Sequence, residues 1–176
     1  MAAASQSYVL LQKGGDPFHT RFEDLDGLTA FTIQEVDRMP NTSVQLRREA
    51  PWAQKHQGVM GPGAAFFYFG PEGAPGHIIY GNAPSQPMAT TLRRKRSTAS
   101  QYFTSRSGRL LKWKQLPNHR MECIDGKDVL AVYEAGHASS DYSALLTIRH
   151  AGLAVVTEIL TTLMLSQMAI VMQWQN

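Results

Sequence analysis

The chain closes on "EILTTLMLSQMAIVMQWQN", Glu158 to Asn176, and the use the protein makes of this tail decides the fold. Leu, Met, Ala, Glu and Gln are good helix formers. On a helical wheel Ile159, Leu160, Leu163, Met164, Ile170 and Val171 make one broad side, and Leu165, Met168 and Met172 extend it around the helix. A helix apolar nearly all round belongs in a core or in a membrane. A membrane span needs about 20 predominantly apolar residues. Here Glu158 and Gln167 interrupt the run, and no Lys or Arg follows it as an interfacial anchor. No transmembrane segment is therefore expected. The tail reads as an internal helix, with the flexible thioethers of its Met residues filling irregular gaps.

The residues before it read as short strands with turns between them. Candidates are Tyr8–Gln12, Leu28–Ile33, Ser43–Arg48, Ala65–Phe69, His77–Gly81, Met88–Arg96, Gln101–Arg106, Arg109–Gln115, Arg120–Ile124, Asp128–Ala135 and Ser143–His150. Asp125-Gly126 is a strong hairpin signal between two of them. In "RLLKWKQ", Leu111 and Trp113 point one way and Lys112 and Lys114 the other. In "DVLAVYEA" both faces read as partly buried. Strands at this spacing suit a sandwich or barrel. The expected fold class is all-β with one helix: a closed antiparallel barrel of about twelve strands around the C-terminal hydrophobic helix. Residues 1–6 read as a short tail, and 7–176 as a single domain.

Composition bounds the setting. The 176 residues are 43% hydrophobic and 18% charged, as in a globular protein. The one cysteine, Cys123, rules out an internal disulfide and favours a reducing compartment. "MAAASQSYVLLQKGG" lacks a basic n-region and an apolar h-region, so no signal peptide is read, and Ala2 gives no myristoylation site. Cytoplasmic residence follows as the expectation. The net charge of +3 hides an asymmetry: no Asp or Glu occurs from Gly73 to Met121, a window holding nine of the 17 Lys and Arg residues. One region of the fold should carry a positive potential.

The order of elements, with "FEDLDGLTAFTI", "SGRLLKWKQ", "DGKDVLAVYEAG", "ALLTIRHAG" and "EILTTLMLSQ", resembles a fungal family of uncharacterised domains in the tubby C-terminal-like superfamily. The resemblance would run from about Ser7 onward. It implies the helix-threaded barrel. Relatives in that superfamily include phosphoinositide-binding domains and lipid scramblases, so it also suggests lipid binding. The tubby head-group signature, a scramblase-like calcium segment and a flanking membrane helix are not seen here, and fold alone is a poor guide to function.

The sharpest local feature is "LRRKRSTAS", Leu92 to Ser100. Arg93, Arg94, Lys95 and Arg96, extended by Lys112 and Lys114, form the candidate site for anionic lipid or phosphate. The competing reading is a charged edge strand that blocks edge pairing. Ser97 and Thr98 follow the cations as candidate phosphosites, where added negative charge would weaken anion binding. Tyr102 and Phe103 lie close enough to suggest base stacking, but alternation turns one of them inward and no nucleic-acid motif appears, so nucleic acid is an unlikely partner. His137, Ser139, Ser140 and Asp141 share one loop, where a catalytic triad rarely converges. Cys123 reads as an inert buried thiol. The six histidines show no metal spacing. "EDLDG" supplies carboxylates without the twelve-residue calcium loop, and reads as a polar turn. No catalytic residue, metal or cofactor is expected. The function expected is a non-catalytic binding module, peripheral on a membrane surface through anionic phospholipid. A protein-interaction module without a lipid role and an enzyme of unrecognised type are the alternatives.

Overall fold

The computed structural model describes residues 6–94 and 99–174. Within them, the strands are β1 (Ser7–Lys13), β2 (Thr20–Asp24), β3 (Thr29–Asp37), β4 (Ser43–Arg48), β5 (Ala64–Tyr68), β6 (His77–Tyr80) and β7 (Gln86–Pro87). They continue as β8 (Arg93–Arg94), β9 (Gln101–Thr104), β10 (Leu110–Leu116), β11 (Arg120–Asp125), β12 (Asp128–Ala135) and β13 (Ala144–Arg149). Helix α1 (Ala50–Gln54) follows β4, α2 (Met88–Thr91) lies between β7 and β8, and α3 (Val156–Val171) ends the chain after a 3-10 segment, His150–Val155.

All the strand pairs are antiparallel, and they build two meanders. One runs from β1 to β7, the other from β13 back to β8, and β1 pairs with β13 at the middle. Burial alternates at a period of two along β1, β4, β5, β10 and β13, whereas β3, β11 and β12 each bury two adjacent residues, and "DVLAVYEA" in β12 is part-buried on both faces as expected. Leu10, Phe22, Phe31, Ile33, Val44, Leu46, Phe67, Ile78, Leu111, Trp113 and Leu146 are sealed from solvent. The alternation expected in "RLLKWKQ" is present: Leu111 and Trp113 are fully buried, while Lys112 is half-buried and Lys114 exposed.

Helix α3 fills the concave side. Its residues are buried on every face from Val156 through Ser166, and again at Met168 and Ala169. It is bonded to both meanders. On one side Thr157 Oγ1 donates to the Pro62 carbonyl (2.9 Å) and accepts from Arg48 Nη1 of β4 (3.3 Å). On the other, Trp113 Nε1 of β10 donates to Thr162 Oγ1 (2.9 Å) and Ser166 Oγ donates to Gln101 Oε1 of β9 (2.7 Å). The sheet therefore curls around the helix. The Thr and Ser hydroxyls tolerate this burial because they bond back to the helix's own carbonyls: Thr161 to Thr157, Thr162 to Glu158 and Ser166 to Thr162. The segment His150–Val171 is long and apolar enough to cross a membrane, yet 78% of its most apolar window is buried inside the protein. The helix is closed by Gln173, whose left-handed φ of 55° allows Trp174 N–H to reach back to the Ala169 carbonyl (3.0 Å).

The closed barrel expected from the sequence is not what forms. The structure is an open sheet of thirteen strands among the described residues, with β7 and β8 as its unjoined edges. The expected strand Met88–Arg96 is the reason. Its first part turns into α2, held by Thr90 and Thr91 hydroxyls that donate to the Pro87 carbonyl (2.9 and 3.0 Å), and among the described residues only Arg93–Arg94 pairs as strand. Pro87 of β7 has no N–H to offer an edge partner. Helix α2 sits in the resulting seam with Met88 and Thr91 buried. The polar turn expected at "EDLDG" forms, but the strand that leads into it is not among the candidate strands. Thr20–Asp24 is a strand with Thr20 and Phe22 inward, and the turn follows it: Asp24 Oδ1 accepts from Asp26 N–H (3.0 Å) and Leu28 N–H (2.8 Å), with Gly27 at φ 81°.

Candidate anion-binding surface

Cross-strand register decides which cations share a face, because directly paired residues project to the same side. Arg93 pairs with Tyr102, and Tyr102 with Lys112. This row lies on the outer face. Arg94 pairs with Gln101, which is buried, and Gln101 with Trp113, which is sealed in the core. Arg94 thus belongs to the row that faces the helix. The two described members of the basic run project to opposite sides of the sheet. Lys95, Arg96, Ser97 and Thr98 lie outside the described residues.

The acid-free stretch of sequence does not make an acid-free surface. Strands β11 and β12 bring carboxylates across from later in the chain. Asp125 pairs with Arg109. Glu122 and Glu134 flank Arg120 at 3.5 and 3.9 Å. Lys114 stands directly opposite Glu122 in the register, although no ion pair joins them among the described residues. Arg93, Arg106, Lys112, Lys114 and Lys127 are likewise without an ion pair among the described residues.

Three of these converge. Lys112, Lys114 and Lys127 line one shallow concavity on the outer face of β9 to β11, together with Tyr102, Ile124 and Gly126. Lys127 was not singled out from the sequence. It follows the Asp125-Gly126 turn, where Gly126 at φ 59° folds β12 back on β11 and so swings Lys127 toward Lys112. The signal that could have found it is that same hairpin motif. Arg93 and Arg106 line a neighbouring depression nearer β7 with Thr90, Thr104 and Ser105. Phosphate or carboxylate oxygens are what an array of unpaired ammonium and guanidinium groups can hold.

A buried polar group at the other end of α3 also escaped sequence reading. Glu158, 4% exposed, accepts from the Arg106 backbone N–H through Oε1 (3.2 Å), and its Oε2 has no hydrogen-bond partner among the described residues. Its position in the first helical turn places it at the positive end of the helix dipole. Burial lowers the Arg48 guanidinium's pKa, and the Glu158 charge opposes that shift. Burial raises the Tyr80 phenol, with the Glu158 charge adding to the effect and a hydrogen bond with Thr161 opposing it. Burial also pushes the Cys123 thiol up, keeping it in the unreactive form.

The loop holding His137, Ser139, Ser140 and Asp141 brings no nucleophile to a base. Ser140 N–H bonds the His137 carbonyl (2.9 Å), and the Asp141 carboxylate takes Lys13 Nζ (2.8 Å). Lys13, by hydrogen bond and then by charge, holds Asp141 below the usual carboxylate range. Among the described residues no group of three or more His, Cys, Asp and Glu could hold a metal ion.

No known protein family's profile matches the chain, and no curated protein matches it. Among solved structures, a protein from Arabidopsis thaliana is similar at 9% identity and a TM-score of 0.38, over 92% of this chain and 93% of that one. A likeness that faint settles neither fold nor function.

Proposed function

We propose that this chain is a non-catalytic binding module, of tubby-like descent, that attaches peripherally to cytoplasmic membrane surfaces by taking anionic phospholipid on its outer basic face. The observation that carries the reading is the convergence of Lys112, Lys114 and Lys127 on one concavity, with no ion pair among the described residues to neutralise them. Tyr102 beside them supplies a ring of the kind that sits at headgroup depth. Each cation near an anionic leaflet contributes about 1 kcal/mol. Three give about 3 kcal/mol, or a roughly 150-fold partition preference, which salt should erode because the charges are exposed.

Co-sedimentation with phosphatidylcholine vesicles, with and without phosphatidylserine or a phosphoinositide, tests this. Binding should require the anionic lipid and fall as salt rises. Replacing Lys112, Lys114 and Lys127 together by Ala should lower partitioning about 100-fold. Undiminished binding by the triple variant would remove the basis of the proposal. Capture of a protein partner that ignores both lipid and salt would assign the chain to the protein-interaction class instead.

A further inference from the structure

The open seam creates a pocket that a closed barrel would not have. It lies between α2, β8 and β9 on one side and the C-terminal end of α3 on the other, with a volume of about 250 Å³. Its apolar wall comes from Met88, Leu92, Met121, Ala169, Ile170 and Trp174. Trp174 is fixed there by its indole N–H, which donates to the Gly73 carbonyl (2.7 Å), and by Phe69, 5.9 Å away ring to ring.

The polar contribution is small and one-sided. Arg94 lines the pocket, on the inward row that its pairing with Gln101 dictates. Gln101, 6% exposed, and Ser166, 6% exposed, lie deeper. Ser166 Oγ donates to Gln101 Oε1 (2.7 Å), which occupies that oxygen and leaves the Gln101 amide NH2 without a hydrogen-bond partner among the described residues. The Arg94 guanidinium likewise has none among them. Gln167, at the margin, is occupied in a closed ring: it donates to Tyr133 Oη (2.9 Å), Tyr133 donates to Gln12 Oε1 (3.0 Å), and Gln12 donates back to Gln167 Oε1 (3.4 Å). No carboxylate lines the pocket among the described residues. Gln115, exposed on β10, also lines the pocket and offers both an amide oxygen and an NH2. The groups left open beside the apolar wall at Arg94 and Gln101 are donors, one of them a cation.

We infer that the seam pocket is a binding site for a single aliphatic chain with an anionic end, the chain lying against Met88, Leu92, Ala169 and Trp174 and the anion meeting Arg94 and the Gln101 amide. The volume is below that of sites for drug-sized molecules, roughly 300–1,000 Å³, so it holds one chain rather than two. At roughly 30 Å³ for each water-sized group, the length is about eight carbons. The anion is either the carboxylate of a free fatty acid or the phosphate of a single-chain phospholipid, and both present oxygens to the same donors. This inference does not depend on the outer lysines: it concerns the opposite side of the sheet.

Calorimetric titration of the full chain with a series of n-alkanoates, kept below their micellar concentrations, is the test. Affinity should rise about fourfold per methylene and level off near octanoate to decanoate. Decanoate should bind about tenfold more tightly than decanol, and Arg94→Gln should abolish that preference while leaving decanol binding unchanged. Ala169→Leu should fill the pocket and block both probes. Ile170→Glu gives a second variant at a site 76% exposed, where folding is not at risk; it should repel decanoate and spare decanol. A decanoyl lysophosphatidate that binds more tightly than decanoate identifies phospholipid as the source, and the reverse order identifies free fatty acid. The triple replacement of Lys112, Lys114 and Lys127 should leave all of these affinities in place, which separates this site from the outer face. The inference is overturned if the folded protein binds no alkanoate saturably. It is also overturned if Arg94→Gln keeps the carboxylate preference, or if both pocket variants bind as the parent does.

Discussion

Thr162→Val probes whether the helix is locked to the sheet by a specific bond or only by apolar packing. Thr162 is sealed from solvent, and its hydroxyl accepts from Trp113 Nε1 at 2.9 Å while donating to the Glu158 and Ile159 carbonyls. Valine keeps the shape of threonine and removes the acceptor. Those two carbonyls belong to the helix and retain its backbone N–H partners, so they add little to the cost. The Trp113 indole N–H is left buried and unpaired, which costs about 1–3 kcal/mol. For a chain of this size each kcal/mol lowers Tm by about 2–4 °C, so the expected drop is about 2 to 12 °C. Urea unfolding followed by far-UV circular dichroism gives the free energy without relying on tryptophan emission. Trp113→Phe removes the donor, and the two substitutions together complete a cycle. The coupling should be about 1 kcal/mol or more, because valine at 162 strands nothing once the indole is gone. Additivity within about 0.3–0.5 kcal/mol would show that the bond contributes nothing, and that apolar burial alone holds α3 in place.

Two further outcomes follow from local geometry. A Cβ at Gly76 would lie 1.8 Å from the Tyr68 carbonyl oxygen and 3.2 Å from the Gly70 nitrogen, so Gly76→Ala must displace backbone; a loss above about 4 kcal/mol is expected. Gly27→Ala, at φ 81° with open space around it, should cost only about 1–2 kcal/mol, and comparable thermal melts for the two variants would contradict the packing described. Burial, the largest cause, depresses the His56 pKa below 6.5, with the Asp24 charge opposing and Lys55 assisting. The unfolded chain then binds the proton more readily, so this contribution to stability is complete above about pH 6.5 and is lost as pH falls through the lower folded value. Melting at stepped pH should show that decline, His56→Gln should flatten it, and an unchanged slope in the variant would sink the assignment. The ring contacts of His56 with Tyr8 (4.9 Å) and Trp52 (4.8 Å) account for its partial burial.

Parts of the candidate site were readable in the chain and parts were not. The outward direction of Lys112 and Lys114 follows from Leu111 and Trp113 alternating with them, a local property. Lys127 and the withdrawal of Arg94 to the inner row were hidden, since each depends on which residue of another strand stands opposite. The same holds for charge. Nine basic residues without an intervening acid suggest a uniform field, but Asp125, Glu122 and Glu134 arrive from β11 and β12 and pair with Arg109 and Arg120. Glu158 reads in the sequence as an interruption of an apolar tail. Only in the fold does it become a buried carboxylate bound to the Arg106 backbone.

That the terminal helix is internal and that short alternating strands cover it could be read from the chain alone, because an apolar wheel and a period of two are properties of neighbouring residues. Whether the sheet closes was decided by tertiary structure. Closure requires the two outermost edges to meet, and those edges lie on either side of a few residues where strand and helix compete. Pro87 withholds a donor, the Thr90 and Thr91 hydroxyls hold α2 in place, and Met88 gains a buried site in the gap. Strand propensity over Met88–Arg96 could not weigh that burial, because the wall that receives Met88 is built by α3, at the far end of the chain.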